Sequence, residues 1–417
     1  MSEAPLSVIA DINPPLPRHV RHNELVSFVK MQDVAESGGI RSAADFPFGS
    51  VCNGFTRFAE NDILFAKITP CMENGKGALA KGLTNGIGCG STEFHVLRAK
   101  EDNCPGFIYQ VAQSHAIRQK AEMRMSGSAG QQRVQAEFFK THRVHIPKPP
   151  EQRRIAEILT TVDEAMEQTE ALVGKLEQMK AGLMHDLFTR GVTPEGKLRP
   201  TRQQAPHLYH ETPLGWIPKE WEVKPLGHLS EIVSGVTLGS KLTITGGVRV
   251  PYLRVANVQD GHLDLATMKT ITIKKTEIEK YSVLPGDFLM TEGGDPDKLG
   301  RGAIWTGDVA LCLHQNHVFR VRCDQSRLTP EYLRSLVGSP YGKAYFLRVA
   351  KQTTGIASIN KTQLGNFPVQ LPPLAHQRAF LEKLAGVQSV IEQQETASAV
   401  ADSAFQALLH LAFPGNS

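Results

Sequence analysis

Apolar positions recur at alternating steps of three and four along one stretch of the chain: Ile155, Ile158, Val162, Ala165, Thr169, Leu172, Leu176, Met179 and Leu183. That spacing keeps side chains on one helical face at the seven-residue period of a coiled coil, so Glu151 to Phe188 predicts a long helix, with Pro150 before it and Gly191 after it. A second stripe, Leu159, Met166, Val173 and Leu187, widens the apolar face. At 1.5 Å per residue the rod is roughly 57 Å long. A rod of that length needs a partner helix along its seam.

Elsewhere the pattern changes period. Residues 25–100 and 223–321 alternate short apolar runs with Gly, Asn and Pro, which predicts strands and turns. Phe107 to Arg124 and Pro330 to Val349 read as amphipathic helices, each followed by a loop, MSGSAG at 125–130 and QTTG at 352–355. A short element at Val134 to Phe139 leads to a strand-like VHI at 144–146. Residues 1–24 read as an extended Pro-rich lead-in with little core of its own, and residues 191–222 as a Pro-rich linker with two tryptophans.

The chain also repeats itself at an offset of 225 residues. Phe380 stands for Ile155, Leu384 for Leu159, Val387 for Val162, Val390 for Ala165, Ile391 for Met166, Leu408 for Leu183 and Phe413 for Phe188. The lead-in VHIPKPPEQRR (144–154) faces VQLPPLAHQRA (369–379), ENDILF (60–65) faces PGDFLM (285–290), and NGKGALA (74–80) faces LGRGAIW (299–305). Phe94-His95-Val96 faces Phe319-Arg320-Val321, Phe107-Ile108 faces Tyr332-Leu333, and Phe28 faces Leu253. One register held across separate blocks predicts two copies of one plan, a globular α+β unit followed by a long helix, with the two helices paired antiparallel. The second helix carries Gln394, Ala397, Ala401 and Ala404 on the expected seam, so it gains less from burial there.

Composition refines this picture in one respect. The net charge is only +4, but residues 1–150 carry 17 basic and 14 acidic groups and residues 191–372 carry 22 and 16, whereas 151–190 carry 5 and 8 and 373–417 carry 2 and 4. Basic globular units beside acidic helices suit an anionic partner that touches the units alone, or an ordinary solvated surface. The six cysteines show no C-x-x-C pair, no apolar run reaches the length of a membrane span, and no secretory leader follows Met1, which together predict a soluble cytoplasmic protein with reduced thiols.

Catalytic signatures are weak by comparison. Asn13-Pro14-Pro15-Leu16 resembles the N-P-P-aromatic loop of amino-methyltransferases but places Leu16 where a ring should stack, and the Gly-rich run 86–90 has no strand–turn–helix context. Residues 338–344 (GSPYGKA) fall one residue short of a phosphate-binding P-loop and lack its Ser/Thr. Glu195/Lys197 and Glu222/Lys224 have no Pro-Asp placed for a nuclease core, and the 15 histidines lack metal-ligand spacing. The chain is expected not to be an enzyme and to hold no metal.

The segments IPKPPEQRRIAEIL (146–159), its echo LPPLAHQRAFLEKL (371–384), LFAKITPCMENGKGA (64–78) and LMTEGGDPDKLGRGAIW (289–305) resemble the DNA-specificity subunits of type I restriction–modification systems, and the resemblance runs the length of the chain. It implies a target-recognition domain at 1–149, a spacer helix at 150–190, a linker and second target-recognition domain at 191–372, and a second spacer helix at 373–417. It also implies a non-catalytic DNA-binding subunit that reads a bipartite, asymmetric site in double-stranded DNA. Two methyltransferase subunits using S-adenosylmethionine, and restriction/translocase subunits using ATP and Mg²⁺, would supply the chemistry; the chain itself would hold no cofactor. The alternative is a related system whose partner fuses methyltransferase and endonuclease. Two departures from the family pattern stand out. His376 replaces the Glu of P-P-x-x-E-Q in the second copy, and the first lacks the W-x-x-x-x-L-G opening that WEVKPLG (221–227) supplies in the second.

Candidate DNA contacts come from the matched turns. Asn74-Gly75-Lys76-Gly77 and Leu299-Gly300-Arg301-Gly302 place a cation between glycines, suited to a groove or a phosphate, or simply to an exposed hairpin. Lys67, Thr69 and Glu73 near the first turn, and Glu292, Asp295 and Lys298 near the second, are side chains of base-reading types, the acidic ones suited equally to bracing a loop. Arg118 and Lys120 read as phosphate contacts or as a solvated helix face. Ile155, Val162, Leu172, Leu176, Leu183, Phe380, Val387, Val390 and Leu408 are the expected helix-pairing residues.

Overall fold

The computed structural model describes residues 3–128, 130–193, 195–237, 246–353 and 355–412. By contact the chain divides into two compact units, Met1–Val173 with Gln394–Ser417, and Gly174–Gln393. The long helices run Pro149–Thr189 and Leu374–Ala412, so each unit holds part of both.

The two units use the same strand plan. In the first, Ala10–Ile12, Phe94–Ala99, Ile63–Ala66 and Gly77–Leu79 form an antiparallel sheet in that order, beside a second sheet ordered Ala44–Pro47, Leu25–Val29, Ile87–Gly90 and Thr56–Ala59. In the other, Ser230–Ser234, Val318–Cys323, Phe288–Thr291 and Gly302–Ile304 repeat the first sheet, and Lys269–Ile273, Val248–Leu253 and Leu313–His314 repeat three strands of the second, whose fourth is reduced to a bridge between Ser282 and Leu313. Even the parallel pairing recurs, Leu25–Val29 with Ile87–Gly90 and Val248–Leu253 with Leu313–His314. A buried carboxylate pins the same corner twice. Asp62 takes a two-point grip from Arg98 at 2.6 and 2.7 Å and accepts the Ala59 N–H at 2.7 Å; Asp287 does the same with Arg322 at 2.7 and 2.8 Å and with Leu284 at 2.7 Å.

Three expectations need correction. Residues 3–12 are not a coreless lead-in: Glu3–Pro5 pairs with Arg143–His145, Ala10–Ile12 joins the first sheet, and Leu6, Ile9 and Ala10 are buried. The stretch 191–222 is not a bare linker, because Tyr209–Thr212 and Gly215–Pro218 form a hairpin and Trp221 is buried against Gly191. The expected single helices are each two, Pro105–Gln113 with His115–Glu122 and Pro330–Gly338 with Pro340–Val349. They break at matched serines whose hydroxyls donate back to a carbonyl, Ser114 to Val111 at 2.8 Å and Ser339 to Leu336 at 2.6 Å, which satisfies the backbone without continuing the helix.

Within each unit the long helices pair antiparallel. Ile155 and Leu159, near the start of one, share a core with Phe405, Leu408 and Leu409, near the end of the other. In the second unit Leu183, Leu187 and Phe188 share a core with Phe380, Leu381 and Leu384, and the Phe188 and Phe380 rings lie 4.9 Å apart. The counterpart expected at Phe413 lies outside the described residues. The seam differs from expectation at every second step. Val162, Leu176 and Val387 are half-buried as expected, but Leu172 and Val390 are 43% and 42% exposed, as are Ile158 and Met179 at 40% and 64%. The buried line instead runs Leu159, Val162, Met166, Thr169, Val173, Leu176, Lys180, Leu183 and Leu187, and in the other helix Phe380, Leu384, Val387, Ile391, Gln394, Ser398, Ala401, Phe405 and Leu408. Both are regular heptads. From Val162 a seam can step by three or by four, and apolar residues stand at both places; the facing helix selects the stripe one residue later.

A glutamine anchors the start of each long helix. Gln152, 1% exposed, accepts the Cys104 N–H at 3.0 Å and donates to Pro147 O and Asn103 Oδ1 at 3.0 Å each. Gln377, 0% exposed, accepts the Thr329 N–H at 2.9 Å and donates to Pro372 O at 2.9 Å and Arg327 O at 2.7 Å. Cys104 and Thr329 are the residues just before the helices Pro105–Gln113 and Pro330–Gly338, so one amide ties strand end, unit helix and long helix together. The neighbouring Glu151 is exposed, and its counterpart His376 is buried beside Arg199 at 3.3 Å, where burial and that cation lower its pKa. The helix-start contact therefore belongs to the glutamine and survives the Glu-to-His difference.

Gln152→Leu strands a buried N–H and a buried C=O and is expected to lower the unfolding free energy of the first unit by about 2–3 kcal/mol in urea. Glu151→His should stay within about 0.5 kcal/mol. Equal effects of the two substitutions would remove the anchor from the account.

Candidate nucleic-acid interface

The matched turns belong to two long hairpin loops built on one frame. Residues 67–76 join Ile63–Ala66 to Gly77–Leu79, and residues 292–301 join Phe288–Thr291 to Gly302–Ile304. Ala66 N–H donates to Lys76 O at 3.1 Å, and Thr291 N–H to Arg301 O at 3.1 Å. Ile68 bridges Arg133 as Gly293 pairs with Ser358, and Val134 N–H reaches Lys67 O at 2.9 Å as Ile359 N–H reaches Glu292 O at 2.9 Å. Gly75 and Gly300 turn with φ of 83° and 84°, the left-handed region where a Cβ is strained. The ends of the two loops and their closing glycine turns are therefore the same in both units, while the loop interiors differ in side chains and in local turns.

The glycine-flanked cations do not stand at exposed tips. Lys76 is half-buried and its Nζ donates to Met31 O at 3.2 Å. Arg301 is half-buried and its Nη1 donates to Gln259 Oε1 at 3.3 Å. Both fold back because the loop returns against its own unit, where backbone and amide oxygens lie within reach. Arg118 departs furthest from expectation: it is 7% exposed, donates to Met72 O at 2.7 Å and Lys76 O at 3.2 Å, and lies 4.7 Å over the Phe65 ring. Burial pulls its pKa down to about 10, so it stays charged at neutral pH. It is neither a phosphate contact nor a solvated face. Lys120, half-buried, stands near His142, whose pKa it helps burial to lower.

What the loops present outward is polar. Glu73 and Asn74 are exposed; Thr69 Oγ1 donates to Glu73 Oε1 at 3.0 Å and Asn74 Nδ2 to Glu36 Oε1 at 3.1 Å. Lys67 is half-buried at the base of its loop. On the second loop Asp295 and Lys298 are exposed and ion-paired, a bond that holds the Asp295 carboxyl below its ordinary range, and Glu292 accepts from His317 Nδ1 at 2.6 Å. A cleft lies beside each loop. In the first unit Gly75, Tyr109, Gln113 and Phe405 close it to about 140 Å³, and in the second the corresponding Gly300, Arg334, Gly338 and Lys180 leave about 720 Å³. Asp163, which lines the first cleft and accepts from Gln110 at 2.7 Å, has its carboxyl pushed up by burial.

The weak catalytic signatures have structural explanations. Asn13 takes a left-handed turn (φ 53°) and its amide holds His95 and the Val96 N–H, at 3.1 and 2.9 Å. The Gly-rich run enters the strand Ile87–Gly90, where a Cβ on Gly88 would meet the Phe58 ring at 2.1 Å. Among the described residues no His, Cys, Asp and Glu group is arranged to hold a metal ion, and no helix is long and apolar enough to cross a membrane.

The family model for the type I restriction modification DNA specificity domain matches this chain twice, over residues 49–178 and 218–399. The chain belongs to that family. One match falls in each repeat; the first begins after the strand Ala44–Pro47, and each runs into a long helix. The EcoEI specificity subunit of Escherichia coli is 26% identical over 98% of this chain and 80% of its own length. The EcoKI specificity subunit of E. coli K12 is 26% identical over 77% and 67%. The fold is similar to the crystal structure of a type I restriction–modification S subunit from M. genitalium, with a TM-score of 0.56 at 13% identity over 99% of this chain and 96% of that one. The chain is thus a specificity subunit by family, with two repeated mixed α/β domains and two long helices.

Since Lys76 and Arg301 are spent on their own units, replacing either with alanine should lower stability by about 1 kcal/mol and leave the salt dependence of duplex binding unchanged. Urea unfolding and a salt titration of binding measure the two. A slope shallower by about one would return them to the phosphate contacts.

Proposed function

We propose that each unit reads one half of a bipartite, non-palindromic site in double-stranded DNA, and that the chain is a non-catalytic adaptor. The observation that carries this reading is the pair of loops at 67–76 and 292–301, anchored at the same points in the two units but carrying different interiors and different outward side chains. Thr69, Glu73 and Asn74 on one, and Glu292, Asp295 and Lys298 on the other, offer the donors and acceptors that base edges require, whereas identical loops would read identical half-sites. Lys67, half-buried at the loop base, would contact the DNA backbone. A duplicated chain also offers two like surfaces, so two methyltransferase subunits could dock equivalently on one copy of it. Adenine methylation with S-adenosylmethionine, and translocation and cleavage with ATP and Mg²⁺, would then belong to partner subunits in the cytoplasm; a single partner that both cuts and methylates is the alternative arrangement.

Mapping methylated adenines in DNA modified by the assembled complex tests the reading directly: a bipartite asymmetric motif is expected, and a palindromic or absent motif overturns it. Spacing offers a second test. Both long helices pass from one unit to the other at 173/174 and 393/394, so four residues inserted at both places add about 6 Å and turn the distal part of each helix only about 40° beyond a full turn. The modified site should keep its two halves and favour a non-specific gap longer by one or two base pairs, at about 3.4 Å per step. An unchanged gap would mean that the helices do not set the spacing.

A further inference from the structure

One loop is held by a residue that the other unit does not have. Arg118 lies in the helix His115–Glu122, and its guanidinium bonds the carbonyls of Met72 and Lys76 at 2.7 and 3.2 Å. It also donates to Gln113 Oε1, whose amide in turn reaches Gly77 O at 3.3 Å. Met72 and Lys76 stand in the middle and at the end of loop 67–76, with the exposed Glu73 and Asn74 between them. One rigid fork thereby fixes the separation of the two points that flank the outward side chains. Gly77 makes room for it, since a Cβ there would stand 2.9 Å from the guanidinium Nη2. At the same place in the second unit is Lys343, exposed to solvent, and the second loop is shaped locally by the turn Pro296–Lys298.

We propose that Arg118 is a positioning residue for sequence reading: it fixes the shape of loop 67–76 and so determines which base pairs one half-site accepts. This rests on the reading of the loops as DNA-reading elements. Arg118 is itself too buried to meet DNA, so its effect passes through Glu73 and Asn74. Its planar donors bond two carbonyls at once, whereas a lysine ammonium is a point charge on a flexible stem and cannot hold the same two-point geometry. Arg118→Lys keeps the charge and most of the packing over Phe65 and removes the fixed spacing. Because Lys343, at the matching position of the second unit, is exposed, the consequence is confined to one half of the site.

The test uses the full chain with Arg118→Lys, assembled with the methyltransferase subunits of its own system, on a duplex library randomised at both half-sites. Preference for the correct bases should fall by roughly tenfold at one half-site, the size of one lost base contact, and stay at the wild-type value at the other. Hydrogen exchange of the free chain, which does not depend on assembly, should show faster exchange in 67–76 and no change in 292–301. Wild-type preference at both half-sites, an equal loss at both, or unchanged exchange in 67–76 would each overturn the clamp. A wild-type complex with no preference at either half-site would instead overturn the reading on which the clamp rests.

Discussion

A buried amide at the start of each long helix ties that helix to its unit. A glutamine side chain has one acceptor and two donors. Gln152 and Gln377 use them on the first turn of a unit helix, on the strand end before the long helix, and on the loop between. A buried backbone group without a partner is costly, so these bonds fix three segments in one arrangement. The start of each long helix is therefore fixed against the strand and the helix of its own unit. The proposed reading of DNA depends on this constraint, because a loop can select bases only if the body that carries it is held rigidly.

The second constraint is repetition of frame with variation of content. The hydrogen bonds from Ala66 and Thr291, from Val134 and Ile359, and the turns at Gly75 and Gly300 are backbone features, which two diverged sequences can share. Side chains around them are free to differ. The clefts beside the loops illustrate this, since Phe405 and Gln113 fill one and Lys180 and Gly338 leave the other open. A chain organised in this way can change what it reads without changing how it folds.

Much of this was legible in the sequence. The 225-residue register found both units, both helices and their antiparallel pairing, and it aligned Gln152 with Gln377, although the pattern drew attention to the Glu beside it. The limits are physical. Apolar residues at both Ile158 and Leu159, and at both Leu172 and Val173, leave half of a heptad seam undecided until a facing helix chooses. Arg118 looked like a surface cation because its acceptors are backbone carbonyls, which no sequence displays. Lys76 and Arg301 sit beside glycines as a groove-reading tip would, yet the loop curls back on its unit. The strands at Glu3–Pro5 and Ala10–Ile12 were hidden by short length and nearby prolines.

The division of the helices carries a consequence for synthesis. The first unit is completed by Phe405, Leu408 and Leu409, which are synthesised after the whole of the second unit, 174–393, which is continuous in the chain. The later half can thus close its core first, and the earlier half waits with Ile155 and Leu159 uncovered until the tail arrives. The unit that begins first is the one whose core needs residues made later than the other unit's.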